Sequence, residues 1–125
     1  MKQRKSRLHH DTLALVLKQH FPVHATRLTV LCAVVLAMIR ARSVVLYSLV
    51  THLELPGSAK VRYKRLKRFV QFALPDTCLA ALVLGCLPRG KQWLILDRTH
   101  WKLGKTHINI LLLSTVWQGF SLPLV

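Results

Sequence analysis

Apolar residues recur with a helical period from about residue 11 to residue 87. Leu13, Val16 and Leu17 share one face of a segment that must end before Pro22. The segment over residues 26–42 is apolar nearly all round, which places it in the middle of a domain. The predicted helices cover residues 11–19, 26–42, 43–53, 59–73 and 76–85. Together they predict a small helical bundle.

The periodicity changes after Gly90. Residues 93–96 form a short apolar run that is closed by Asp97, which is typical of a strand buried on both faces. Residues 105–116 alternate as a second strand, Gln118-Gly119 predicts a tight turn, and residues 120–125 begin a third strand. The chain is therefore predicted to be α+β, with a helical region over residues 1–89 and a sheet over residues 90–125.

The sequence ends in an apolar stretch that continues a predicted strand. A terminal carboxylate on a buried strand is costly to desolvate. Three strands with bare apolar faces would also leave a sheet with nothing packed on it. We therefore expect residues 90–125 to be the truncated start of a larger domain, and the sequence to be part of a longer protein.

Composition and charge narrow the class of partner. Hydrophobic residues make up 52% of the chain and charged residues 18%, which excludes a disordered tail. The 19 Lys and Arg residues against 4 Asp and Glu give a net charge of +15, which favours nucleic acid, and after it an anionic membrane surface, as the partner. The apolar runs stop well short of the roughly 20 residues that a bilayer span needs. We expect a cytoplasmic, nucleoid-associated protein that does not bind a membrane.

The densest positive charge lies in one predicted helix, with six cations within nine residues: Lys60, Arg62, Lys64, Arg65, Lys67 and Arg68. Tyr63, Leu66 and Phe69 form its apolar stripe. A helix, a Pro-Gly turn and a strongly basic helix are the parts of a helix-turn-helix reader, although this turn is longer than usual. The alternative is that this helix surface simply faces solvent. Such surfaces normally carry both positive and negative charges, whereas this one has no acid. We therefore predict contact with DNA, and the basic residues at positions 2, 4, 5 and 7 are candidates for an arm on the minor groove or the phosphates.

A second group of residues follows the apolar run 93–96: Asp97-Arg98-Thr99, Trp101, Gly104 and Thr106-His107-Ile108-Asn109. This group resembles the first catalytic block of DDE transposases, and more narrowly that of the insertion-sequence-four (IS-four) family. The strand over residues 93–96, the hairpin and the Gln118-Gly119 turn are similar to the opening three strands of that family's ribonuclease H-like catalytic domain. Residues 62–69 are similar to the basic helix that those proteins carry upstream.

The resemblance implies a chemistry and a site. The family cuts and rejoins DNA at element ends with two divalent ions, Mg²⁺ or Mn²⁺, held by two Asp and one Glu. Asp97 matches the first of these carboxylates, at the end of a strand, as a catalytic residue and metal ligand. Arg98, Lys102 and Lys105 are candidates for contacts with substrate phosphates, and equally for solvated side chains. No other carboxylate has a match before Val125, so we expect this chain to lack transposase activity even if its parent has it.

Three hypotheses remain open at this point. The chain is a fragment of an insertion-sequence transposase that binds the double-stranded DNA of the element ends, while the full-length parent cleaves and transfers strands. Alternatively, it is a stand-alone DNA-binding repressor that occupies those ends or joins the full-length transposase as a dimer partner. In the third hypothesis it is an inactive pseudogene remnant.

Overall fold

The computed structural model describes the backbone of residues 2–124 and the side chains of residues 10–124. It is an α+β structure, as predicted, in which helices precede a three-stranded antiparallel sheet. The elements are α1 (Lys2–His20), α2 (Ala25–Ala41), α3 (Leu46–His52), α4 (Ala59–Val70), α5 (Asp76–Cys86), β1 (Leu94–Leu103), β2 (Thr106–Trp117) and β3 (Phe120–Pro123).

The chain divides into two compact units, Met1–Ala73 and Leu74–Val125. The sequence had suggested a boundary near residue 90, after the last predicted helix. The division instead falls in the non-helical segment between α4 and α5, and α5 is grouped with the strands. The first unit, which we call the helical unit, consists of α1 to α4. The second, which we call the sheet unit, contains α5 and the three strands.

The core of the helical unit forms around α2, as its all-round apolar pattern predicts. Ala33, Val34 and Ala37 of α2 are buried in one cluster with Leu49, Val50 and Leu53 of the α3 segment and Leu66 of α4. Within residues 2–124, no single helix has both the length and the hydropathy of a membrane span; α2 and α3 reach them only when joined across a bend of 101°.

Two helix starts differ from the prediction. Helix α1 begins at Lys2 rather than near Asp11, because the residues between them are good helix formers without a proline or glycine. The basic residues proposed as an arm thus lie in the first turns of α1, and their side chains lie outside the described residues. Helix α3 begins at Leu46 rather than Ser43, since the Ser43 hydroxyl accepts a hydrogen bond from the Val45 N–H at 3.1 Å and holds a non-helical turn.

The sheet has the order β1-β2-β3, with two-residue turns at both hairpins. Gln118 and Gly119 have φ angles of 49° and 81°, so both adopt the left-handed conformation of a type I′ turn, and the predicted tight turn is confirmed. Lys105, expected to start the second strand, instead lies with Gly104 in the turn between β1 and β2.

The prediction that the first strand is buried on both faces is wrong. Strand β1 runs to Leu103, and the apolar run 93–96 is exposed: 82% of the Trp93 residue surface and 65% of that of Leu96 are accessible. The reason is topological, because β1 is an edge strand of an antiparallel sheet and not the central strand of a parallel one. Burial in the sheet concentrates instead at Ser114 and Thr115 of β2.

Candidate nucleic-acid interface

Four cations of α4 lie on one exposed face, which we call the cationic face: Lys60, Lys64, Lys67 and Arg68. Their spacing of three and four residues places them on neighbouring turns. On the other side of the helix Leu66 is fully buried in the core. The buried leucine fixes the rotation of α4, so the cationic face points to solvent.

The cationic face has no internal neutralisation. Like charges four residues apart destabilise a helix by a few tenths of a kcal/mol per pair. Helix α4 contains no acid, and Glu54, the acid nearest in sequence, forms an ion pair with Arg40 at 2.7 Å. The helix is held by packing and by its cap, since the Ser58 hydroxyl accepts a hydrogen bond from the Val61 N–H at 3.4 Å. An anionic partner would relieve the repulsion.

Charge is concentrated in the helical unit as a whole. Residues 1–73 contain 14 of the 19 Lys and Arg residues against two acids, whereas residues 74–125 contain five against two. A polyanion is therefore attracted chiefly to the helical unit.

Arg62 differs from the other cations of α4. Its Nη1 donates a hydrogen bond to the backbone carbonyl of Leu53, at the C-terminal end of α3, over 2.9 Å. The Arg62 Nε is buried and has no hydrogen-bond partner among the described residues. The structure thus gives this predicted DNA-contact residue a packing position between α3 and α4, which the spacing of charges in the sequence did not reveal.

Arg65 and Arg68 also line a cleft of about 420 Å³ between α2 and α4, which we call the arginine cleft. Its third cation, Arg27, has its guanidinium carbon 3.9 Å from the centre of the Phe72 ring. Sequence reasoning missed Arg27 and Phe72 because the two come together only when α2 packs against α4. The complete lining is Thr26, Arg27, Val30, Arg65, Arg68, Phe69 and Phe72.

Asp97 lies within β1 and not at its end, contrary to the sequence prediction. The strand continues past the apolar run because residues 98–103 pair with β2 in an unbroken ladder. Asp97 is exposed and lies opposite Leu112, on a face shared with Ile95 and Ile110. Its neighbours on this face are thus apolar residues together with Thr99 and Ser114, and none of them is charged.

The other face of the same hairpin carries leucines at one end and polar side chains toward the turn between β1 and β2. Arg98 donates from Nε and Nη2 to the Asn109 Oδ1 at 3.3 and 3.0 Å. His100 and His107 lie side by side, with the His100 Nε2 2.9 Å from the His107 Nδ1. Lys102 alternates onto this face as well. Arg98 and Lys102 thus share a face of β1, four residues apart with His100 between them, whereas Asp97 lies on the other face.

The residues present do not fit a pair of Mg²⁺ or Mn²⁺ ions. Such a pair needs several carboxylates around it, whereas in the described part of the chain no group of three or more His, Cys, Asp or Glu side chains could hold a metal ion. In the core, burial raises the pKa of the Cys32 thiol and so disfavours the thiolate that would bind a metal ion.

No family model matches the chain, and no match was found among curated proteins or solved structures. The resemblance to the IS-four transposases therefore depends on the residues quoted for it.

Proposed function

We propose that this chain is a DNA-binding fragment of an IS-four-type DDE transposase, which binds the double-stranded DNA of element ends through the cationic face of α4. The observation that carries the proposal is four exposed cations, with no acid among them, on a helix whose opposite side is anchored by Leu66. In a helix without a partner, such a distribution of charge adds only repulsion between like charges.

The dimensions of α4 are compatible with a groove of DNA. Its 12 residues span about 18 Å, and an α-helix with its side chains is about 10–12 Å across. The major groove is about 12 Å wide and admits one helix. Helix α3 precedes α4 across the turn at Pro56-Gly57, in the order found in helix-turn-helix readers. We assign the lysines mainly to phosphate contacts, which supply affinity and steep salt dependence.

For the sheet unit, the proposal concerns only its identity and one residue. Three antiparallel strands in the order β1-β2-β3 support an α+β chain, and the ribonuclease H-like identity of this unit is part of the proposal. Asp97 is its one matching carboxylate. Strand cleavage and transfer with Mg²⁺ or Mn²⁺ therefore belong to the proposed full-length parent, and the activity proposed for this chain ends at DNA binding.

One observation favours the second hypothesis, a stand-alone DNA-binding repressor. The cationic face lies entirely within the unit Met1–Ala73, whereas Asp97 lies in the other unit. DNA binding would therefore not need the sheet, and the fragment could occupy element ends without cutting them or join full-length transposase as a dimer partner.

The test is the salt dependence of binding to a duplex of 20 base pairs, measured by fluorescence anisotropy. Each phosphate neutralised contributes about 0.9 to the slope of log K against log salt. We expect the triple variant Lys60→Gln, Lys64→Gln, Lys67→Gln to lower that slope by up to about 2.7, or three times this contribution. The matched control removes three exposed cations elsewhere, by Lys18→Gln, Arg89→Gln and Lys91→Gln.

The control separates a defined interface from general attraction by net charge. If both triple variants lower the slope equally, the cationic face is not the interface. If the unaltered chain shows no salt-dependent binding to duplex DNA, the proposed function is wrong. Circular dichroism of each variant confirms that the helices are intact.

A further inference from the structure

The arginine cleft is a second concentration of positive charge, which shares only Arg68 with the cationic face. Arg65 and Arg68 are one turn apart on α4, and Arg27 reaches the same space from α2. Arg65 is half-buried, unlike the lysines of the cationic face. Arginines of α2 and α4 thus line the same cleft. Helix α4 alone would present its arginines on a flat surface.

The contact between Arg27 and Phe72 prepares one of these groups for a ligand. The guanidinium carbon lies 3.9 Å from the ring centre, so the cation contacts the ring. Such a contact uses the face of the planar guanidinium, while the five N–H donors lie around its edge. The ring thereby restricts the side chain without using those donors, which remain available for oxygen atoms of a ligand.

The lining of the cleft selects an anion. None of the four acids of the sequence is among the lining residues, and the remaining walls are mostly apolar: Val30, Phe69 and Phe72. The three arginines therefore supply the attraction for an anion in this cleft. Arginine forks match the geometry of phosphate oxygens and bind them in pairs.

We infer that the arginine cleft binds one backbone phosphate of duplex DNA, so that the DNA is held at a fixed point beside the cationic face. This inference rests on the proposed function and deepens it, because it adds Arg27 and Phe72 to the interface and distinguishes a fork-like phosphate site from the lysine contacts. Arg68 belongs to both groups and connects them along α4.

The decisive variant is Arg27→Gln with Arg65→Gln, which leaves the lysines in place. We expect the salt slope of duplex binding to fall by about 0.9, the contribution of a single phosphate. The matched control, Lys18→Gln with Arg42→Gln, removes two exposed cations that do not line the cleft and should leave the slope unchanged. The pair Arg27→Lys with Arg65→Lys keeps the charge but loses the fork, so we expect it to weaken binding at least fivefold while retaining most of the slope.

A titration with inorganic phosphate provides a second readout by NMR. The Nε–H signals of Arg27 and Arg65 should shift with phosphate and remain still with chloride at the same ionic strength, because chloride cannot accept two parallel hydrogen bonds from one guanidinium. An equal response to both anions would show only general attraction by charge and would overturn the inference. If the unaltered chain binds DNA but the arginine pair behaves like its control, the inference alone fails; if the unaltered chain does not bind DNA, the proposed function fails with it.

Discussion

Arg62 is the residue at which a packing role and a DNA-contact role can be separated by measurement. In the variant Arg62→Met, the apolar stem is kept and the hydrogen bond to the Leu53 carbonyl is lost. A hydrogen bond from a charged donor contributes about 1.5–3 kcal/mol. The carbonyl keeps a second donor, the Leu55 N–H at 2.9 Å, so it is not orphaned. Removal of the buried, unpaired Nε offsets part of the loss, and we expect a net destabilisation of about 1 kcal/mol.

For a unit of this size, about 1 kcal/mol corresponds to a fall in Tm of roughly 4–8 °C. Thermal unfolding followed by circular dichroism measures it, and duplex binding is then measured well below the lowered Tm. The comparison variant Lys64→Met should give the opposite pattern, with unchanged Tm and a salt slope lower by about 0.9. If Arg62→Met lowers the salt slope and leaves Tm unchanged, the packing role is refuted and the original assignment of Arg62 to DNA is restored.

Two further predictions concern single positions. Gln118 holds a left-handed conformation that asparagine adopts more easily, so Gln118→Asn should raise the free energy of unfolding of the sheet unit by about 0.5 kcal/mol. Urea unfolding followed by tryptophan fluorescence measures this change. A loss of stability would contradict the type I′ assignment. Burial raises the pKa of the Cys32 thiol above its ordinary value of 9.0, so unfolding releases a proton once the pH passes that value. The free energy of unfolding should therefore fall as the pH rises from there toward the raised pKa. Between pH 7 and about pH 9.5, the free energy of unfolding in urea should therefore fall less for Cys32→Ala than for the unaltered chain. An equal fall in both proteins would show that the Cys32 thiol is not its cause.

Several helix ends were predictable from local chemistry, whereas the starts of α1 and α3 were not. Ser58 was recognisable as a cap, Pro22 and Pro56 as interruptions, and Leu66 as a core position of α4, because each effect acts within a few residues. The burial of β1 was not predictable in this way. An apolar run such as 93–96 has the same pattern in a central strand and in an exposed edge strand, and only the number of layers around it decides between them.

The candidate site was predictable in composition but not in arrangement. A cluster of cations without acids is visible in the sequence, whereas the separate position of Arg62 depends on where α3 ends in space. The arginine cleft depends on a contact between Arg27 and Phe72, which no local pattern encodes. Tertiary packing thus divides one run of charges into an exposed face, a packing residue and a cleft.

The strand geometry limits which residues of the proposed transposase motif can act on the same phosphate. Successive side chains of a strand point to opposite faces, so Asp97 and Arg98 cannot both contact one phosphate on a single face of the hairpin. The two hydrogen bonds to Asn109 further direct the Arg98 guanidinium along its own face. Within the hypothesis, Asp97 therefore keeps its proposed role as a ligand in the full-length parent, but the cations that would balance a phosphate beside it must come from residues other than Arg98 and Lys102.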